Sequence, residues 1–139
     1  GATWQHQVNV TQHTDPTAGA ADLYELHFQV NAGGLDLKLL YATWNLDGSG
    51  PASVGADEQS GWYIEPAYRF NKYFGSFLRY NQWDNKAGDS TDSEFSQLDV
   101  GVNFWPYKHI AFKLDYQDQD APAGGAASDG FNLGVGFSF

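Results

Sequence analysis

The sequence predicts an all-β chain, an antiparallel up-and-down transmembrane β-barrel of about eight strands with both termini on the short-turn side. Three observations carry this. Apolar and polar residues alternate with period two over most of the 139 residues. Connections alternate strictly between short turns and long loops, and the predicted strands are close to the ten residues a tilted strand needs to cross a bilayer. The composition joins 17% aromatic residues and 16 glycines to a net charge of −10 and a mean hydropathy of −0.47. That mixture suits strands with one apolar and one polar face.

The first segment, Thr3 to Gln12, sets Trp4, Val8 and Val10 against Gln5, Gln7 and Asn9. From Asp22 to Ala32, Tyr24, Leu26, Phe28 and Val30 alternate with Glu25, His27, Gln29 and Asn31. Leu35, Leu37, Leu39 and Tyr41 alternate with Asp36 and Lys38, and Trp62, Ile64, Tyr68 and Phe70 alternate with Tyr63, Glu65, Ala67 and Arg69. Pro66 deletes a ladder donor in mid-strand, so a bulge is expected there. Phe74, Leu78 and Tyr80 oppose Gly75, Arg79 and Asn81, and Leu98, Val100, Val102 and Phe104 oppose Gln97, Asp99, Gly101 and Asn103. Ile110, Phe112, Leu114 and Tyr116 oppose Lys113, Asp115 and Gln117. The last segment sets Phe131, Leu133, Val135, Phe137 and Phe139 against Asn132, Gly134, Gly136 and Ser138.

The long connections are His13–Ala21, Leu46–Gln59, Asn85–Ser93 and Gln119–Ser128; the short ones centre on Gly33-Gly34, Asn71-Lys72-Tyr73 and Pro106–His109. In this register Tyr24, Tyr41, Trp62, Tyr80 and Tyr116 end the apolar face on the loop side. Leu35, Phe70, Phe74, Phe104 and Phe139 end it on the turn side. These residues are the expected lipid-interface girdle, since Tyr and Trp can bury a ring and keep a polar tip wet. Tyr41, Tyr80 and Tyr116 lie 39 and 36 residues apart and are each followed by an acid, Asp47, Asp84 and Asp120. Hairpin duplication and the ordinary ending of a barrel strand both account for this.

Charge is segregated in the same frame. Asp15, Asp22, Asp47, Asp57, Glu58, Asp84, Asp89, Asp92, Glu94, Asp118, Asp120 and Asp129 fall in the long loops or at their edges, where Lys86 is the only cation. The expected lumen-facing charges are Glu25, Asp36, Glu65, Asp99 and Asp115 with Lys38, Arg69, Arg79 and Lys113. With 7 Lys and Arg in the whole chain, nucleic-acid binding by counterion release is excluded. No apolar run reaches the 18 residues of a transmembrane helix. The absence of cysteine removes disulfides and thiolate metal sites, and the absence of methionine predicts a processed chain or a piece of a longer one.

The segments 61–70 (Gly61-Trp62-Tyr63-Ile64-Glu65-Pro66-Ala67-Tyr68-Arg69-Phe70), 79–84 (Arg79-Tyr80-Asn81-Gln82-Trp83-Asp84) and 100–106 (Val100-Gly101-Val102-Asn103-Phe104-Trp105-Pro106) carry a family resemblance. Asp115-Tyr116-Gln117-Asp118 and the closing run 130–139 complete it. Together they resemble the C-terminal half of the phosphate-selective porin O and P family of bacterial outer-membrane channels, over residues 61 to 139. The resemblance implies a bacterial outer-membrane location, lipid and lipopolysaccharide as surroundings, and recognition of Phe139 by the outer-membrane assembly machinery. It implies passive diffusion of small hydrophilic solutes or ions. Family barrels have about sixteen strands, so this chain is expected to be half of such a barrel, or to share one with other chains as a homo-oligomer.

Two other readings compete. A closed eight-stranded barrel would be filled by its own side chains and would not conduct, serving a structural or interaction role through its acidic loops. A soluble barrel with an apolar ligand inside would need the apolar face inward. No enzyme, cofactor or metal site is expected. His6, His13, His27 and His109 lack metal-ligand spacing, Lys86 and Gly88 stand where a calcium loop needs oxygens, and nothing marks His13 and Ser60 as catalytic partners.

Overall fold

The structure, a computed structural model, describes residues 1–10 and 17–138. Eight strands follow in chain order: β1 (Ala2–Gln7), β2 (Ala18–Ala32), β3 (Leu35–Gly48), β4 (Glu58–Arg69), β5 (Phe74–Asp84), β6 (Glu94–Tyr107), β7 (Ile110–Asp120) and β8 (Gly130–Phe137). A one-turn helix, α1 (Ser49–Ser53), rides on the β3–β4 loop. Each strand pairs antiparallel with the next, giving one up-and-down sheet in the order β1 to β8.

The sheet does not close. Among the described residues β1 and β8 pair only with β2 and β7, so both are edges, and the expected single-chain closed barrel is not formed. β1 is also shorter than the alternation predicts. Its ladder runs from Ala2 opposite Leu26 to Gln7 opposite Ala21, leaving Val8 and Val10 outside the strand and Phe28–Ala32 without a β1 partner. The chain therefore begins beside mid-β2, not at the turn end. Gln12 and the expected loop residues His13 and Asp15 lie outside the described residues, as does Phe139.

The short connections form as the sequence predicts. Gly33 and Gly34 both adopt positive φ, 57° and 90°, which matches the twist of a two-residue hairpin and is open to few residues but glycine. The β4–β5 turn is built on Asn71, whose side-chain oxygen accepts from the backbone N–H of Tyr73 (2.8 Å) and Phe74 (3.0 Å). Pro66 produces no bulge. The β4–β5 ladder lapses at Glu65 and Pro66 and resumes at Ala67 opposite Phe77 in the same register, so the missing donor costs a local gap only. Register shifts fall instead on β6, between Phe104 and Tyr107, where Trp105-Pro106 enters the turn, and at the loop end of β2, between Ala18 and Ala21.

On the loop side β2 and β3 run several residues beyond the predicted ends, from Ala18 and to Gly48, whereas β5 ends at Asp84 and β6 begins at Glu94 as the loop read over 85–93 requires. Contacts that skip a strand mark the face toward which the sheet curves. Lys113 Nζ on β7 stands 4.4 Å from the Phe77 ring centre on β5, and Arg69 on β4 stacks 4.4 Å over Trp105 on β6. Glycine makes one such approach possible: a Cβ on Gly101 would sit 2.3 Å from Phe77 Cε1. Both contacts lie on the polar face, which is therefore the concave one.

Candidate functional site: the concave polar face

Alternation assigns each side chain to a face, and the register aligns the faces across the sheet. Opposite one another on the concave side stand Gln29, Lys38, Glu65, Arg79, Asp99 and Gln117, one from each of β2 to β7. Among the described residues the buried charged groups are Glu65, Asp99 and Asp115, at 6%, 8% and 6% exposure, all on this face. The convex face is the reverse. Leu26, Val100, Leu114 and Leu133 are 60%, 50%, 47% and 80% exposed, and between the expected girdles no charged side chain stands there among the described residues. A water-soluble sheet has the opposite polarity.

Glu65 organises the centre. Its Oε1 accepts from Lys38 Nζ at 2.8 Å and its Oε2 from Arg79 Nε at 2.7 Å, with the Arg79 Nη2 also in contact. Lys38 reaches Asp36 at 3.7 Å, and Asp36 accepts from Gln29 at 2.9 Å. Paired in this way, a buried carboxylate recovers part of its lost hydration. Asp99 is held by amides: its two oxygens accept from Asn81 (2.9 Å) and Gln97 (2.7 Å). Asp115 pairs with Lys113 at 3.2 Å and accepts from Asn132 at 3.0 Å. Glu25 is joined to its own strand neighbour His27 at 3.0 Å. Arg69 turns toward the short-turn end, donating to the carbonyls of Asn71 (3.2 Å) and Lys72 (2.9 Å). No buried side-chain polar atom among the described residues lacks a partner.

The concave face is not filled. At its turn end it holds a cavity of about 670 Å³ bounded by residues from the β2–β3 turn through to β7. All four expected lumen cations, Lys38, Arg69, Arg79 and Lys113, line it, with Asp36 and Glu65 as its acids. Phe77 and Trp105 supply its aromatic wall. Sequence reasoning missed both of these, together with the amide partners Asn81, Gln97 and Asn132 as ligands for carboxylates. Phe77 breaks the alternation of β5, and the signal for it lies in Gly101, its ladder partner.

Farther toward the loops the concave positions become Trp44, Tyr63, Trp83 and Phe95, and the Trp83 and Phe95 rings stack at 5.5 Å. The expected girdle residues Tyr24, Tyr41, Trp62, Phe70, Phe74, Tyr80, Phe104 and Tyr116 fall on or beside the convex face. Several touch: Trp62 and Tyr80 at 5.5 Å, Phe74 and Phe104 at 4.8 Å, Tyr116 and Phe131 at 5.0 Å between ring centres. In the β5–β6 loop Asp89 accepts from the Thr91 N–H at 3.2 Å, and hydrogen bonding from Thr91 holds its carboxyl below the ordinary aspartate range. Among the described residues no group of three or more His, Cys, Asp or Glu could hold a metal ion. Comparison of the chain with family models, with curated proteins and with solved structures gives no match.

Proposed function

We propose that this chain forms wall of a β-barrel of porin type in a bacterial outer membrane, passing small hydrophilic solutes or ions by passive diffusion. The observation that carries the reading is the inverted polarity of the sheet: charged groups buried on the concave face, leucine, valine and aromatic rings exposed on the convex one. Hydrocarbon accepts the convex face and water the concave face. The dimensions fit as well. On β7 the convex apolar run spans Ile110 to Tyr116, seven residues that at about 3.3 Å each and a tilt of about 40° cover roughly 18 Å of height. The longer run from Trp62 on β4 to Phe70 just beyond its end covers roughly 23 Å by the same rule.

A barrel that conducts must be wider than its own side chains can fill. Eight closed strands leave an interior just large enough for side chains, whereas this concave face keeps an unfilled cavity at its turn end. In lipid the free edges of β1 and β8 need partners, because unpaired backbone groups are not tolerated there. Further strands completing the barrel would supply them. The likeness to the phosphate-selective porin family adds support for the solute class, with Lys38, Arg69, Arg79 and Lys113 as the lumen cations. Lipid and lipopolysaccharide are the proposed surroundings, and Phe139 the proposed contact with the assembly machinery.

The test is planar-bilayer conductance of protein shown to be folded and inserted by heat-modifiable gel mobility. Stable steps of nanosiemens order support the reading. Silence from inserted protein overturns it in favour of a closed, non-conducting barrel.

A further inference from the structure

The charges of the concave face are matched to one another. Register sets Glu65 and Asp99 level with Lys38 and Arg79, and places Asp36 and Asp115 one inward position nearer the turns. Lys38 and Arg79 share Glu65, Lys113 holds Asp115, His27 holds Glu25, and Arg69 is bound by turn carbonyls. Opposite charges paired at this range cancel each other's field along the middle of the face. What the face offers a solute beyond them is neutral: side-chain amides and, in its loop half, aromatic rings.

Four rings stand on the concave side of the loop half, each half-buried: Trp44 on β3, Tyr63 on β4, Trp83 on β5 and Phe95 on β6. Trp83 and Phe95 are ladder partners whose rings stack at 5.5 Å with 7° between their planes. On its other side the ladder partner of Trp83 is Gly61, and beyond it in the same row come Ala42 and Glu25. The outer face of the indole therefore overlooks two strands with almost no side chain, and the Glu25 carboxylate stands across the gap. The three atoms nearest a Cβ on Gly61, 3.2–3.7 Å away, are backbone and Cβ atoms of Gln82 and Trp83 in the strand alongside. From β2 to β5, three strand spacings make roughly 14 Å between backbones, of which a flat ring in contact on both faces needs about 7–8 Å. Trp44 bounds the gap toward the loops and Tyr63 toward the turns, each two residues along its strand from Ala42 and Gly61. Beside Tyr63 the amides of Asn81, Gln97 and Gln119 form one row. Asn81 and Gln97 each donate to Asp99, and Gln119 donates to Gln97. An amide has two N–H donors and an acceptor oxygen, so each keeps capacity for a ligand.

We infer that this gap is a binding site for neutral sugars, mono- and oligosaccharides, on the path along the concave face. The inference rests on the channel reading above and narrows its solute class. A pyranose ring is a thin disc with C–H bonds on its faces and hydroxyls around its rim. Its C–H face matches the electron-rich face of Trp83. Its hydroxyls both donate and accept, and the amides and the Glu25 carboxylate supply both kinds of partner. Aromatic walls with a few placed polar groups are the common composition of a small-molecule site. Anchoring in lipid does not account for these rings, because β3, β4 and β5 already present Tyr41, Trp62 and Tyr80 on the opposite face. An anion such as phosphate would meet the Glu25 carboxylate and the negative faces of the rings. Contacts shared among half-buried groups also give weak binding, which lets a permeating solute leave.

The experiment is block of ionic current through the full chain in a planar bilayer by maltotriose and by cellotriose, two neutral trisaccharides of different linkage, with polyethylene glycol of matched size as the control. At least one sugar should reduce the current saturably, with half-block in the millimolar range, while polyethylene glycol lowers it without saturating. Trp83→Ala should raise the half-blocking concentration about three- to tenfold, the loss of one stacked ring, and Trp83→Phe should restore most of the block. Trp44→Ala is the second variant and should weaken block in the same direction, each variant being scored as inserted protein of heat-modifiable mobility. Steps that neither sugar blocks saturably, block unmoved in both alanine variants, or tighter block by inorganic phosphate than by either sugar overturn the inference and leave the channel reading standing. Absence of any steps from inserted protein overturns the channel reading and this inference with it.

Discussion

Replacing Leu114 by arginine separates a lipid-facing sheet from a water-facing one by the sign and size of its effect. Leu114 sits in the convex row of β7 between Phe112 and Tyr116, opposite Val102 on β6 and Leu133 on β8. It is 47% exposed, so in water the leucine contributes about half of the roughly 2 kcal/mol of a fully buried side chain, and an arginine stem would cover much of the same surface. In water, then, Leu114→Arg costs about 1 kcal/mol at most. In a bilayer the same guanidinium lies near mid-depth, where arginine costs about 2–4 kcal/mol, a shift of roughly thirtyfold to a thousandfold in the folding equilibrium. Asn45→Arg is the internal control. Asn45 shares the convex face but lies four residues beyond Tyr41 toward the loops, where the cost falls to about 0–1 kcal/mol. The assay is reversible urea unfolding in phosphatidylcholine vesicles, followed by tryptophan fluorescence and by heat-modifiable mobility. Equal costs for the two variants, or a Leu114→Arg cost below about 0.5 kcal/mol, would refute the assignment of the convex face to lipid.

Two further predictions concern the concave face. Glu65→Gln removes the carboxylate shared by Lys38 and Arg79; because those cations are about one-third exposed and water reaches them, the cost should be about 1–3 kcal/mol, below that of a fully buried pair. A double-mutant cycle with Arg79→Met should return a coupling of about 1 kcal/mol in the same unfolding assay, and no coupling would mean the pair is not formed. Gly101→Leu forces a side chain into the space of the Phe77 ring and should cost about 1–3 kcal/mol, whereas Val102→Leu, its convex neighbour, should be nearly neutral; equal effects would show that Phe77 does not lie over Gly101.

Much of this fold is legible in the sequence because a period of two leaves few alternatives. The parity of β2 to β8 follows from which residues are apolar, and a one-residue slip would have turned Glu65, Asp99 and Asp115 to the convex face. The hairpins were equally legible at Gly33-Gly34 and at Asn71, where glycine torsions and an Asx turn leave a local mark. Strand ends on the loop side were legible in part: β5 ends at Asp84 and β6 begins at Glu94, as the loop read over 85–93 requires, but β2 starts at Ala18 and β3 continues to Gly48, inside segments whose small and polar residues read as loop although pairing continues. β1 failed for the opposite reason: Val8 and Val10 keep the period beyond the point where the ladder to β2 ends.

The candidate site divides in the same way. The nine charged residues assigned to the polar face are set by parity, but their partners depend on register and on neighbours one strand away. Parity places Asp99 on the polar face, and register gives it Asn81 and Gln97 as partners. Parity places Arg69 there too, and its position at the end of β4 brings it to the turn carbonyls of Asn71 and Lys72 and over Trp105. Closure is the property that local patterning does not encode, since the pattern of an edge strand and of a strand paired on both sides is the same.

The absence of cysteine makes the central claim directly measurable, because a single introduced thiol has no competitor. Cysteines placed one at a time from Phe112 to Gln117 on β7, in protein folded into vesicles, would be scored for reaction with a charged, water-soluble thiol reagent. The account predicts reaction at 113, 115 and 117, which face the concave side, and protection at 112, 114 and 116, which face hydrocarbon. Uniform reaction along the strand, or reaction at the even positions alone, would contradict it.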